Sequence, residues 1–180
     1  MKNLIEKALK FRKPTKEQRY NELVLTYSDD VYRYAFWLAK NKHDAEDVVQ
    51  ETFIRAWRYL DNLKDNESAK SWLLTIARNE NNRRFAGKRN EYEHIDVEDQ
   101  VLSVDGGFDN DKEFLQQQIA NLPDHYREPL VLQTLYGFGV EEIAEQLGLN
   151  RNTVSTRLAR AKQILIKGSE FNEQKQVGQK

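Results

Sequence analysis

Apolar residues recur along this chain at helical spacing. Val31, Tyr34, Ala35 and Leu38 fall on one stripe, and Val49, Phe53, Ala56, Trp57 and Leu60 on a second, each at three- to four-residue intervals. A third stripe starts near Ser68 and turns Trp72, Leu73, Ile76 and Ala77 inward. Between the second and third, the stretch from Asp61 to Glu67 has the Asp and Asn content of a loop. The pattern predicts a compact helical domain over 20–89.

The periodicity then stops. In RNEYEHIDVEDQVLSVDGGFDNDK, acids, Asp-Gly and Gly-Gly replace the apolar repeat, so little can be buried and a flexible linker is expected over 90–112. Helical spacing resumes with Phe114, Leu115, Ile119 and Leu122, and halts at Pro123. Asp124 is placed to cap the next helix, whose apolar residues are Tyr126, Leu130, Leu132 and Leu135; Pro129 sits about one turn in, and Gly137 and Gly139 end the segment. The expected fold class is all-α: two small helical domains joined by an acidic flexible linker. A basic extension (1–19) precedes the first domain, and a polar tail (169–180) follows the second, which covers 113–168.

Within the second domain, GVEEIAEQLGLNRNTVSTRLARA reads as two short helices around a tight turn. Ile143, Ala144 and Leu147 line one helix, Gly148 supplies the left-handed turn position, and Asn150 caps the second helix. Val154, Leu158 and Ala161 share the inner face of that second helix. Asn152, Thr156, Ala159, Arg160 and Gln163 then point outward, flanked by Ser155 and Lys162 on one side and Thr153 and Arg157 on the other. An outer face of small, hydroxyl, amide and guanidinium groups suits entry into a DNA major groove. The same spacing also fits a plain helical hairpin with solvated arginines.

Charge changes the picture more than composition does. The net charge of -1 argues against a nucleic-acid partner only until its segregation is seen. Arg78, Arg83, Arg84, Lys88 and Arg89 face a single acid, Glu80, whereas acids dominate from Glu91 to Glu113, and basic residues return at Arg151, Arg157, Arg160, Lys162 and Lys167. Charged residues make up 32% and hydrophobic ones 39%, which fits a soluble helical protein. The longest apolar runs, such as Tyr34 to Ala39, fall far short of the roughly 20 residues that cross a bilayer. The amino terminus lacks the segregated basic and apolar regions of a secretory signal.

Candidate catalytic chemistry is absent from this reading. There is no cysteine, which fits a reducing cytoplasm, and three dispersed histidines do not make a zinc site. The acids around His43 and Asp44 are read as helix-start partners of the dipole rather than metal ligands. No nucleophile with a base and no phosphate-cradling glycine loop is visible, so neither an enzyme nor a cofactor or small-molecule substrate is expected.

Two motifs carry a family resemblance. REPLVLQTLYGFGVEEIAEQLGLNRNTVSTRLARAKQIL, from Arg127, resembles the promoter-reading carboxy-terminal domain of extracytoplasmic-function (ECF) sigma factors, with Thr153-Val154, Arg157-Leu158 and Arg160-Ala161 at the characteristic positions. DAEDVVQETFIRAW, from Asp44 to Trp57, resembles the helix by which sigma factors grip the clamp helices of RNA polymerase. SWLLTIARNENNRRFAGKR, which follows, resembles the helix that engages and opens the minus-10 element. Together they cover most of the chain in the family's order.

The resemblance implies a cytoplasmic subunit that recruits core RNA polymerase to promoter DNA, double-stranded at first and then melted to a single strand. An anti-sigma factor is an implied further partner. Asp47, Gln50, Glu51 and Ile54 become the expected polymerase contacts, and Asn79, Asn82, Arg83 and Arg84 the minus-10 contacts. Arg151, Asn152, Thr153, Ser155, Thr156, Arg157, Ala159 and Arg160 become the minus-35 contacts. Many members carry Asp where Arg83 stands and Arg near Ala86, so base preference at minus-10 does not transfer. A helix-turn-helix regulator that does not bind core polymerase is the alternative, and Asp44 to Trp57 separates the two.

Overall fold

A computed structural model describes residues 13–86 and 110–177. Helix α1 spans Lys16–Ala39, opened by a capping box in which the Thr15 hydroxyl accepts from Gln18 N (3.2 Å) and Gln18 Oε1 accepts from Thr15 N (2.9 Å). It closes at Lys40, a non-glycine residue in the left-handed region (φ 64°). Helix α2, Lys42–Tyr59, follows at once because Asn41 is extended and its Oδ1 accepts from Asp44 N (2.8 Å). A single 3-10 turn, Leu60–Asn62, leads to the loop, and α3 spans Ala69–Phe85. The three helices pack on one another around Val31, Tyr34, Ala35, Ala45, Val48, Phe53, Ala56, Leu60, Leu73, Leu74 and Ala77.

The second unit begins with α4 (Asn110–Ala120), whose first turn lies within the stretch expected to be linker; the rest of that acidic run, and the basic residues 1–12, lie outside the described residues. Helix α5 is Asp124–Tyr136, α6 is Val140–Leu147 and α7 is Arg151–Val177. Their shared core holds Leu122, Leu130, Val131, Leu132, Ile143, Leu147, Val154, Leu158 and Ala161. Among the described residues there is no strand, as the all-α expectation requires, and no helix is long and apolar enough to cross a membrane.

Four expectations need correction. The inner stripe of α2 is rotated: Val48 and Thr52 are buried, Val49 is half-buried, and Trp57 is exposed at the helix end, where Tyr20 meets it edge-on (5.1 Å between ring centroids) and Lys16 Nζ stands 5.5 Å from its ring centre. Thr52 tolerates burial because its hydroxyl donates to the Val48 carbonyl (2.6 Å). In α3, Leu74 is buried while Trp72 and Ile76 are half-buried, and in α4 Leu115 is exposed. Asp124 does not cap α5. Pro123 holds that position, and the Asp124 carboxylate instead faces Arg127 Nη2 (2.5 Å) and Lys40 Nζ (3.4 Å).

The two units meet along α1, α3 and α5. Tyr34, fully buried, donates its hydroxyl to Glu128 Oε1 (3.0 Å), which also accepts from Arg78 Nε (2.8 Å). The Tyr136 hydroxyl donates to the Asp30 carbonyl (2.8 Å) and its ring meets Tyr34 edge-on at 5.8 Å. Arg127, 3% exposed, donates Nε to the Trp37 carbonyl (3.1 Å) and Nη1 to the carbonyls of Ala120 and Leu122 (3.0 and 2.9 Å). One guanidinium thus ties the end of α4, the turn after it and α1 to α5.

Candidate nucleic-acid interface

The α6–α7 pair is assembled by local chemistry. Gly139 is extended, its N–H donating to Glu142 Oε2 (2.8 Å), and α6 starts there. Gly148 ends α6 in the left-handed region (φ 65°), where an L side chain would be strained. Asn150 Oδ1 then accepts from Thr153 N (2.8 Å) and opens α7. Val154, Leu158 and Ala161 are buried against α5 and α6, and among the described residues the opposite face of α7 is left uncovered.

That face carries the residues expected from the sequence. Arg151, Asn152, Ser155, Thr156, Ala159 and Arg160 are exposed, and Thr153 and Arg157 are half-buried flanks. Most of them line an open cleft whose other wall is His125 and Tyr126 at the start of α5. Arg160 Nη1 stands 3.5 Å from the Tyr126 hydroxyl, and the His125 and Tyr126 rings lie 4.0 Å apart between centroids. Arg151 Nε pairs with Glu141 Oε1 of α6 (3.0 Å), across the turn. The sequence reading missed His125 and Tyr126, which are 34 residues or more from Arg160; a paired aromatic and imidazole beside a helix start was the available signal.

On α2, Asp47, Gln50, Glu51 and Ile54 follow at i, i+3, i+4 and i+7, so they form one stripe. Gln50 and Ile54 are exposed, and Asp47 and Glu51 are half-buried. The four α3 residues do not share a face. Asn79 is exposed, whereas Asn82 borders the seam between the units beside Glu128 and Arg127. Arg83 and Arg84 turn toward α2: Arg83 Nη2 pairs with the buried Glu80 (2.5 Å) and lies 3.8 Å from Glu51, while Arg84 reaches Asp47 Oδ2 (2.5 Å) and Asp44 Oδ1 (3.2 Å). Glu80 also holds Arg55 in an ion pair. The loop from Asp61 to Glu67 borders a groove against α1, with Arg19 donating to the Leu63 carbonyl (3.2 Å).

Both units match known families. Residues 23–91 match the family Sigma-70 region 2, and residues 113–165 match Sigma-70, region 4. The chain is 31% identical to the ECF RNA polymerase sigma factor SigW of Bacillus subtilis over 93% of its own length and 97% of that protein's. It is 33% identical to the RNA polymerase sigma factor SigV of the same organism, over 83% of this chain and 93% of that one. Among solved structures, the sigma factor RpoE in complex with the anti-sigma factor NepR from Bartonella quintana has the same fold (TM-score 0.70, 24% identity, 84% of this chain and 97% of that one). CnrH in complex with the cytosolic domain of CnrY does too (TM-score 0.61, 23% identity, 84% and 87%). With both sigma regions matched in order and relatives above 30% identity aligned along nearly their whole length, the chain belongs to the ECF sigma factors of RNA polymerase.

Proposed function

We propose that this sigma factor, a cytoplasmic and non-catalytic subunit, docks on the clamp helices of core polymerase through Asp47, Gln50, Glu51 and Ile54. Its α7 reads the minus-35 element through Arg151 to Arg160, and Asn79, Asn82, Arg83 and Arg84 hold the minus-10 strand, with the Asp61 to Glu67 loop beside the unpaired base. The observation that carries this reading is the outer face of α7. Ser155, Thr156 and Ala159 are small enough for close approach, and Arg160 and Asn152 offer donors that match base edges. Promoter opening then needs no covalent chemistry, because binding the unpaired strand on cations shifts the duplex equilibrium.

An anti-sigma factor as a regulatory partner fits the same reading, since the RpoE and CnrH structures are complexes, the first with an anti-sigma factor. The test is co-purification with core polymerase. Wild-type chain is retained and Asp47→Ala with Gln50→Ala is lost, while promoter-fragment binding by α7 persists; retention of the double variant at wild-type levels contradicts the assigned docking stripe.

A further inference from the structure

The two groups of residues assigned to different partners are bound to each other in this structure. Arg84, assigned to the minus-10 strand, has its guanidinium on Asp47, assigned to polymerase, and on Asp44 one turn earlier (2.5 and 3.2 Å). Arg83 lies 3.8 Å from Glu51 in the same way. These pairs join the end of α3 to the first half of α2, 37 and 40 residues apart for Arg84. They are half-exposed, with Arg84 at 41% and Asp47 at 31% side-chain exposure, so each contributes little net stability and exchanges readily for an equivalent pair.

We propose that Arg84 is a gated DNA contact: Asp44 and Asp47 hold it in the free chain, and polymerase releases it when cationic groups of the clamp take Asp47. The inference rests on the docking stripe proposed above. A carboxylate facing a cationic clamp residue and its own arginine must divide its two oxygens between them, and the incoming cation weakens the hold on Arg84 both by competition and by repulsion. The freed guanidinium stands in the last turn of α3, where a strand backbone would pass. Charge is conserved in the exchange: one carboxylate trades an internal cation for an external one, and a phosphate gains the internal one. Arg83 is held more firmly, because Glu80 keeps a second, buried grip on it. The gate therefore operates chiefly through Arg84.

Fluorescence anisotropy of a labelled dT12 oligonucleotide against the free full-length chain, from 50 to 300 mM KCl, tests the gate. Asp44→Asn with Asp47→Asn should tighten binding about fivefold at 50 mM salt and steepen the log-log salt slope by about 0.7, the share of one freed cation on a single strand. In an Arg84→Ala background the same two substitutions should give no gain. A gain that survives without Arg84 means only that repulsion was removed, and no gain at all means that Arg84 was never restrained; either result overturns the proposal. A second measurement does not depend on the double variant: Arg84→Ala alone should weaken dT12 binding severalfold more in the complex with core polymerase than in the free chain, and an equal loss overturns it. Failure of the wild-type chain to bind core polymerase would sink the docking assignment instead, and the free-chain arm would still report on the gate.

Discussion

Arg160 concentrates the chemistry of α7. It is exposed, it stands beside Tyr126 with no carboxylate paired to it among the described residues, and it lies on the face opposite Val154, Leu158 and Ala161. With no such pair among the described residues, Arg160 has its donors available for a base edge or phosphate, whereas Arg151 is shared with Glu141. Arg160→Ala should therefore cost about 1–3 kcal/mol in promoter binding, measured by mobility shift, and leave retention on core polymerase unchanged. Loss of both together would mean misfolding. Tyr34 has a different task. Burial, and then the Glu128 carboxylate beside it, push its hydroxyl well above its ordinary value, so it stays a donor to Glu128 across the usual pH range. Asn150 is a structural residue: Asn150→Ala removes the α7 cap and should cost about 1 kcal/mol in the thermal stability of the second unit.

At the scale of the helices, legibility followed locality. The α6–α7 pair could be read from the sequence because each of its determinants is local: Gly148 for the left-handed turn, Asn150 three residues before its bonded N–H, and one inner face at i, i+4, i+7. The inner face of α2 was read one step out of phase. Val48 and Val49 are adjacent and equally apolar, Thr52 counts as polar until its hydroxyl finds a carbonyl in its own helix, and Trp57 is covered in part by residues of α1 that no periodicity within α2 reveals. The same limit hid the charge pairs of α3. That Arg84 faces Asp47 depends on how two helices cross, which a stripe does not encode.

Asp124 shows this limit with a measurable consequence. Its position ahead of α5 reads as a cap, but Arg127 and Lys40 are what it meets. Burial alone would raise its carboxyl; Arg127 and Lys40 outweigh that and hold it below the ordinary value. A carboxyl depressed in the folded state contributes stability above its unfolded value, near pH 4, and loses it as pH falls through the folded value. In acid titration followed by circular dichroism, the wild-type chain should lose stability below about pH 4, and Asp124→Asn should lose less over that interval. Identical acid profiles would remove Asp124 from the account.

For the whole molecule, the docked arrangement sets a geometric constraint. The units touch through Tyr34, Arg78 and Glu128, whereas elements centred at minus-10 and minus-35 are separated by about 25 base pairs, roughly 85 Å of B-DNA at 3.4 Å per pair. The 23 residues between Ala86 and Asn110 reach about 80 Å when fully extended, so on the proposed assignment of the two units to these elements the seam has to part for both to be engaged. Glu128→Ala with Arg78→Ala removes the carboxylate that accepts from Tyr34 at the seam and the arginine that pairs with it. It should raise the radius of gyration of the free chain in small-angle scattering, and an unchanged radius would show that the seam is held elsewhere.

The central claim is that this chain directs polymerase to promoters through α2 and α7 together, and in vitro transcription from genomic fragments tests it most directly. With purified core polymerase and the wild-type chain, mapped transcripts should begin at a restricted set of start sites; the starts should vanish with Asp47→Ala plus Gln50→Ala, and weaken with Arg160→Ala while polymerase remains bound. Promoter-fragment binding without polymerase association and without any specific start would contradict the account and return α7 to the role of an ordinary helix-turn-helix regulator.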